Sequence, residues 1–177
     1  MNILIAYFSK SGNTKLLAEQ IKNTLNSKNL SYDFKDVNNL DFNNLSQYDL
    51  FMIGSPCYSS DIVPIIKKLL LYISKLNKKV LLFVTHSTDI SGEKYNKWAL
   101  GCEKTFNQII NKNNILGYYH CMGKPNLMIQ YFIKFIVFKK QKPGWLDFKK
   151  DMMNHPNTKD LEDFKSYIVK IINNLNT

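Results

Sequence analysis

"NILIAYFSKSGNTKLLAEQI", residues 2–21, decides how this chain is built. The run "NILIAYF" (2–8) is apolar, too short for a helix and bounded by turn formers, which predicts a strand buried on both faces. Leu17, Ile21 and Leu25 follow at four-residue spacing and mark a helix from about 14 to 27. Between the two, "SKSGNT" (9–14) gathers hydroxyl and amide side chains around one glycine. A loop at the carboxyl end of a strand, opening a helix whose free N–H groups and dipole favour negative charge, predicts a phosphate site. Ser9, Ser11 and Thr14 offer hydroxyl donors, and Gly12 lets the backbone pass close to a ligand. The loop has neither the second glycine and lysine of a Walker loop nor the G-x-G-x-x-G of a dinucleotide loop. The competing reading of the same string is a plain helix cap, with Asn13 or Thr14 as the capping residue.

The strand-then-turn pattern recurs outward from this stretch. "YDLFMIGS" (48–55) repeats it, and Pro64 sits where a first helical turn tolerates proline, before "IIKKLLLYISKL". "LSYDFKDV" (30–37) reads as an edge strand, while "KKVLLFVTH" (78–86) and "NILGYYHCMG" (114–123) read as further strands. Residues 96–112 predict a helix, and Leu161, Phe164, Ile168, Ile171 and Leu175 mark the stripe of a closing one. Five strands with interleaved helices predict a parallel α/β sheet covered on both faces, with ligands beyond the carboxyl ends of its strands.

Composition bounds the function. The chain has 177 residues, a length that suits one domain with a substantial core. Its net charge of +10 invites a nucleic-acid partner, but all 24 basic residues are lysines, and the arginine fork that grips phosphates and base edges is absent. Abundant Lys and Asn point to compositional bias rather than a designed patch, so no nucleic acid is expected. The stretch "MNILIAYFS" has no basic flank and no apolar segment of signal length, which predicts a cytoplasmic protein. Cys57, Cys102 and Cys121 match no zinc or thioredoxin spacing and are expected as reduced thiols. Cys57 itself reads as a small filler, because no base or second cysteine adjoins it in sequence. His120 and His155 carry no metal-ligand spacing, and no metal is expected.

"YFSKSGNTKLLAEQI" resembles the phosphate-binding signature of the flavodoxin family, in which a Ser/Thr-x-Ser/Thr-Gly-Asn-Thr loop wraps the single phosphate of FMN. "GSPCYSSDIVPIIKKLL" is similar to the second cofactor loop of that family, "FVTHSTDISG" lies where its third loop falls, and "HPNTKDLEDFKSYI" resembles the start of its closing helix. The resemblance covers nearly the whole chain except about 124–150. It implies a flavodoxin-like, doubly wound five-stranded parallel sheet of order 2-1-3-4-5. The implied unit is one FMN-binding domain over 1–177, with an apolar and basic insertion before the last helix. It also implies that Ser9, Lys10 (through its amide), Ser11, Gly12, Asn13 and Thr14 bind the FMN phosphate. Ser55, Pro56, Cys57 and Tyr58 would line the isoalloxazine, with Tyr58 stacking on it, and Thr85, His86 and Ser87 would meet its pyrimidine edge. His86 reads equally well as a hydrogen-bonded structural residue.

Two departures from the family stand out. Ser59, Ser60 and Asp61 occupy the place where relatives often have a glycine after the aromatic, and a serine makes positive φ costly. The chain is basic where electron-carrying flavodoxins are typically acidic. The leading expectation is electron transfer through FMN with a redox partner protein. The enzyme alternative is an FMN-dependent oxidoreductase acting on a hydrophobic molecule such as a quinone or a porphyrinogen. An alternative of another class is a flavin-free nucleic-acid-binding or regulatory protein. Without arginine or a dinucleotide loop, direct use of NADPH is expected to be poor. The insertion is apolar over 127–138 except for Gln130 and Lys134, and lysines follow it. That is too short to cross a membrane but suits a subunit contact, a peripheral membrane contact or a cover beside the flavin, presented by Tyr131, Phe132, Phe135 and Phe138.

Overall fold

Period-two alternation sorts the strand side chains into two layers, one on each face of the sheet. The computed structural model describes residues 1–87, 93–137 and 145–175, without the side chains of 93–99, 132, 136, 137 and 145. In β1 (Ile3–Tyr7), Leu4 and Ala6 point to one face while Ile3, Ile5 and Tyr7 point to the other. The same split runs through β3 (Leu50–Tyr58) and β5 (Lys79–His86). The first layer is closed by Ile66, Leu69, Leu70 and Ile73 of α2 (Pro64–Ile73) and by Cys102 and Phe106 of α3 (Glu93–Ile109). The second is closed by Leu17, Ala18, Ile21 and Leu25 of α1 (Asn13–Ser27) and by Phe164, Ile168 and Ile172 of α6 (Thr158–Leu175). Four residues per step keep Phe164, Ile168 and Ile172 on one stripe, so Ile172 takes the core place that the sequence assigned to Ile171.

The main path of the sheet is β2-β1-β3-β5-β6, all parallel, with β2 (Tyr32–Asp36) and β6 (Ile115–Met122) at its edges. This is the expected 2-1-3-4-5 order of main strands, joined by a two-residue β4 (Asp61–Ile62) that the sequence did not announce. β3 does not stop at Ser55 but continues to Tyr58, and β4 folds back antiparallel with Tyr58 opposite Asp61. The connecting residues Ser59 and Ser60 have φ of 51° and 64°. Two positive φ values in a two-residue hairpin fit the right-handed strand twist, at a strain cost that glycine or asparagine would lower. α3 seats on this turn. A Cβ on its Gly101 would lie 1.9 Å from the Ser60 carbonyl oxygen, and Thr105 one turn on donates to Asp61 Oδ1 at 2.7 Å.

The insertion forms α4 (Leu127–Phe132), a wider helical turn over Ile133–Val137, and α5 (Trp145–Met152). Asn126 caps α4 by accepting from the Ile129 amide at 2.9 Å. Leu127, Met128, Tyr131 and Phe135 are exposed, and the Tyr131 and Phe135 rings stack at 6.2 Å. The Phe132 side chain, Phe138, Lys139, Lys140 and Lys142 lie outside what is described. No described helix is long and apolar enough to cross a membrane.

Candidate functional site

Beyond the carboxyl ends of β1, β3 and β5 the chain segments converge, the third described only to Ser87, so that the rest of the expected third loop, 88–92, lies outside the described residues. Phe8 donates its amide to the Gly54 carbonyl at 3.1 Å, which carries the chain out of β1 beside β3 and into the 9–12 loop. Gly12 then adopts φ +87°, a left-handed conformation that glycine takes without the Cβ penalty, and aims the following amides along the axis of α1. The cap is Gly12 itself. No side chain caps α1, so the reading in which Asn13 or Thr14 spends its side chain as the cap does not hold. The open N-terminus leaves backbone donors and the positive end of the dipole for a ligand.

The side chains around that terminus divide by task. Thr14 is buried, and its hydroxyl shares a 2.8 Å hydrogen bond with that of Thr85 at the end of β5. Asn13 Nδ2 donates to Ser11 Oγ at 3.0 Å and to the Lys124 carbonyl at 2.8 Å, tying the 9–12 loop to the segment after β6. Ser9 Oγ is buried with no hydrogen-bond partner among the described residues. A buried hydroxyl left unpaired costs roughly 1–3 kcal/mol, so its persistence points to an acceptor that belongs there.

A cleft with about 500 Å³ of empty space, open to solvent, runs from this terminus across the sheet edge. Lys10, Ser11 and Asn13 line it from the first loop, Pro56, Cys57 and Tyr58 from the second, and Thr85, His86 and Ser87 from the third. Ser9, Gly12 and Thr14 are not in its wall and stand behind the first loop. Ser55 is not in its wall either. Its hydroxyl is buried, donating to the Pro56 carbonyl at 2.8 Å and accepting from the Val63 amide at 3.3 Å, so it braces the hairpin.

Lys124, Pro125, Asn126 and Ile129 complete the wall from the start of the insertion, and the sequence had no site signal for them individually. They are held there by backbone bonds. Gly123 donates to the His86 carbonyl at 2.7 Å, Ser87 Oγ donates to the Gly123 carbonyl at 3.2 Å, and Lys124 donates to the His155 carbonyl at 2.7 Å.

His86 does both things the sequence left open. It lines the cleft, and its Nε2 lies 3.0 Å from Nδ1 of His120 on β6. Burial holds His120 below its ordinary value of 6.5, against the opposing pull of Glu103, and its ring packs on Tyr118. The folded state therefore binds this proton less tightly than the unfolded chain. The stability that results is present above pH 6.5 and lost as pH falls through the lowered folded value. Melting temperature is expected to drop on acidification below that point, and His120→Gln to remove that part of the slope. Equal slopes in the two proteins would refute the assignment.

The arrangement fits a ligand with one compact anionic group and one flat body. The uncapped helix terminus with Ser11 and Lys10 offers donors at one end of the cleft, and Tyr58 and the end of β5 bound the other. The family model for the flavodoxin domain matches residues 4–169. A probable flavodoxin 1 from Bacillus subtilis (strain 168) is 38% identical over 61 residues, a match that takes in 34% of this chain and 39% of that protein. The structure of a flavodoxin from the domain Archaea superposes with a TM-score of 0.62 at 15% identity, covering 100% of both chains. An azoreductase from Bacillus anthracis str. Sterne superposes with a TM-score of 0.61 at 10% identity, over 96% of this chain and 99% of its own. At such identities the two structures speak to the fold, and the match over 4–169 speaks to descent. The chain belongs to the flavodoxin domain family, and the cofactor that goes with that membership is FMN.

Proposed function

We propose that this chain is a single FMN-binding domain over residues 1–177 that carries electrons to a redox partner protein in the cytoplasm. The observation that carries the reading is the Ser9 hydroxyl, buried with no partner among the described residues, beside the uncapped terminus of α1, a donor set suited to one phosphate. Ser9, Ser11, Gly12, Asn13 and the amide of Lys10 would hold that phosphate, and Thr14 would fix the loop through Thr85. Pro56, Cys57 and Tyr58 would line one side of the ring, with Tyr58 offering its partly exposed face for stacking. Thr85, His86 and Ser87 would bound the polar edge. FMN supplies one- and two-electron transfer when bound. The protein orients the ring, limits water on its buried side and presents the other edge to a partner. The +10 charge steers that encounter toward acidic surfaces.

A second reading is favoured by the exposed Leu127, Met128, Tyr131 and Phe135, which adjoin the residues closing the cleft. An apolar surface beside the ring suits an oxidoreductase with a hydrophobic substrate such as a quinone. Purified protein is expected to bind one equivalent of FMN and, once reduced under anaerobic conditions, to reduce an acidic protein acceptor such as cytochrome b5. Failure to bind FMN at micromolar concentration would overturn both readings. Steady turnover of a quinone, without transfer to a protein acceptor, would favour the second.

A further inference from the structure

The two cysteines that sequence separates meet in the fold. Cys57 lies at the end of β3, partly exposed, in the wall of the cleft, while Cys102 is fully buried on α3. Both side chains lie in one core cluster under the hairpin, where the two thiols share a hydrogen bond and the backbone amides of Ser60 and Asp61 reach the Cys57 sulfur. This meeting is fixed by the surrounding packing. Gly101 bears on the Ser60 carbonyl on one side of Cys102, and Thr105 holds Asp61 on the other. Lys67 pairs with Asp61 from α2, which pins the hairpin from a third direction.

We propose that Cys57 and Cys102 form a redox-active dithiol, which a hydroperoxide entering through the cleft converts to an intramolecular disulfide. Cys57 is partly exposed in the cleft wall while Cys102 is fully buried, so a peroxide reaches Cys57 first and Cys57 is the nucleophile. The hydrogen bond with Cys102 and the two amides, against burial, hold its thiol below its ordinary value. Cys102 is held above its own value, first by that hydrogen bond and then by burial, and keeps its proton. In the first step the Cys57 thiolate attacks one peroxide oxygen and the O–O bond breaks. This leaves a sulfenic acid on Cys57 and hydroxide, which takes up the proton the thiol had lost and leaves as water. In the second step the Cys102 sulfur attacks the Cys57 sulfur, an S–S bond forms, and the sulfenic oxygen leaves as water with the Cys102 proton. Two thiols and one peroxide give one disulfide and two waters. Cys121 is buried in the other layer, against α6, and takes no part.

Cys57 also lines the wall proposed for the flavin, so the experiment uses the full chain without added FMN, where the cleft is open to peroxide. Stoichiometric hydrogen peroxide is expected to lower the thiol count under denaturing conditions from three to one. Peptide mapping without reductant should then find residues 57 and 102 linked, and dithiothreitol should restore all three thiols. Cys121→Ser is expected to form the same link. In Cys102→Ser, Cys57 should stop at the sulfenic acid and be trapped by dimedone. If Cys102→Ser does not fold, the mapping of the unsubstituted chain decides alone. Three thiols surviving the peroxide treatment, or Cys57 passing to sulfinic acid with Cys102 still free, would overturn the proposal.

Discussion

Replacing Ser9 and Ser11 together by alanine is expected to weaken FMN binding by about 3–6 kcal/mol, since each hydrogen bond to a charged group contributes about 1.5–3. That is roughly two to four orders of magnitude in Kd. Riboflavin is the control, because it carries the ring and ribityl chain but no phosphate. Its affinity should be unchanged by the substitutions. The geometry also sets an opposite effect on the empty protein. Among the described residues Ser9 Oγ is buried without a partner, so Ser9→Ala alone removes an unsatisfied group and should stabilise the ligand-free chain by about 1–3 kcal/mol. Fluorescence titration with both flavins, beside a thermal melt without either, separates the two effects. Equal losses for FMN and riboflavin would mean that the two hydroxyls do not meet the phosphate.

Phe164→Ala is expected to cost about 3–5 kcal/mol, against a total stability of about 5–15 kcal/mol for a chain of this kind. The ring is fully buried, 5.6 Å from Phe83 and 4.6 Å from Tyr119 between ring centroids, and it is where α6 presses on the sheet. Its removal opens a cavity that neither strand can close without leaving the register of the β5–β6 pair. Leu161→Ala, on a side chain only partly buried one turn earlier, should cost about 1 kcal/mol. Urea unfolding of the two variants gives the comparison directly, and a loss for Phe164→Ala no larger than for Leu161→Ala would show that α6 is not anchored there.

What was legible in the sequence is what local chemistry dictates. The buried strands announced themselves as short apolar runs, and the phosphate loop did so because an anion at a helix terminus needs its hydroxyls, amide and glycine within a few consecutive residues. The β3–β4 hairpin was hidden because serine is not the residue that two successive positive φ values favour, and Ser59–Ser60 therefore did not read as a tight turn. The meeting of His86 with His120 depends on strand register. Val84 faces His120 and His86 faces Met122 across β5 and β6, so the two imidazoles are diagonal neighbours, and a bulge between Val80 and Leu81 sets that alignment. Cys57 and Cys102 meet only because Gly101 lets α3 sit directly on the hairpin. The cleft residues of the insertion were missed for a related reason. Lys124 to Ile129 carry no motif, and backbone bonds to His86 and His155 bring them to the site.

The order of the sheet also governs how the chain can be made. Of the strands in this sheet β1 leaves the ribosome first, yet it lies between β2 and β3, so its ladder is complete only after both have emerged. β5 can then add to β3, with α1 already available for one face. The other half of that face, around Phe83 and Leu81, waits for α6, which follows only after α3, β6 and the insertion. At typical rates of synthesis the interval is on the order of ten seconds. Throughout it the nascent chain carries a strip of fully apolar sheet with no cover of its own, so a chaperone that shields such strips would meet this protein at a defined stage of translation.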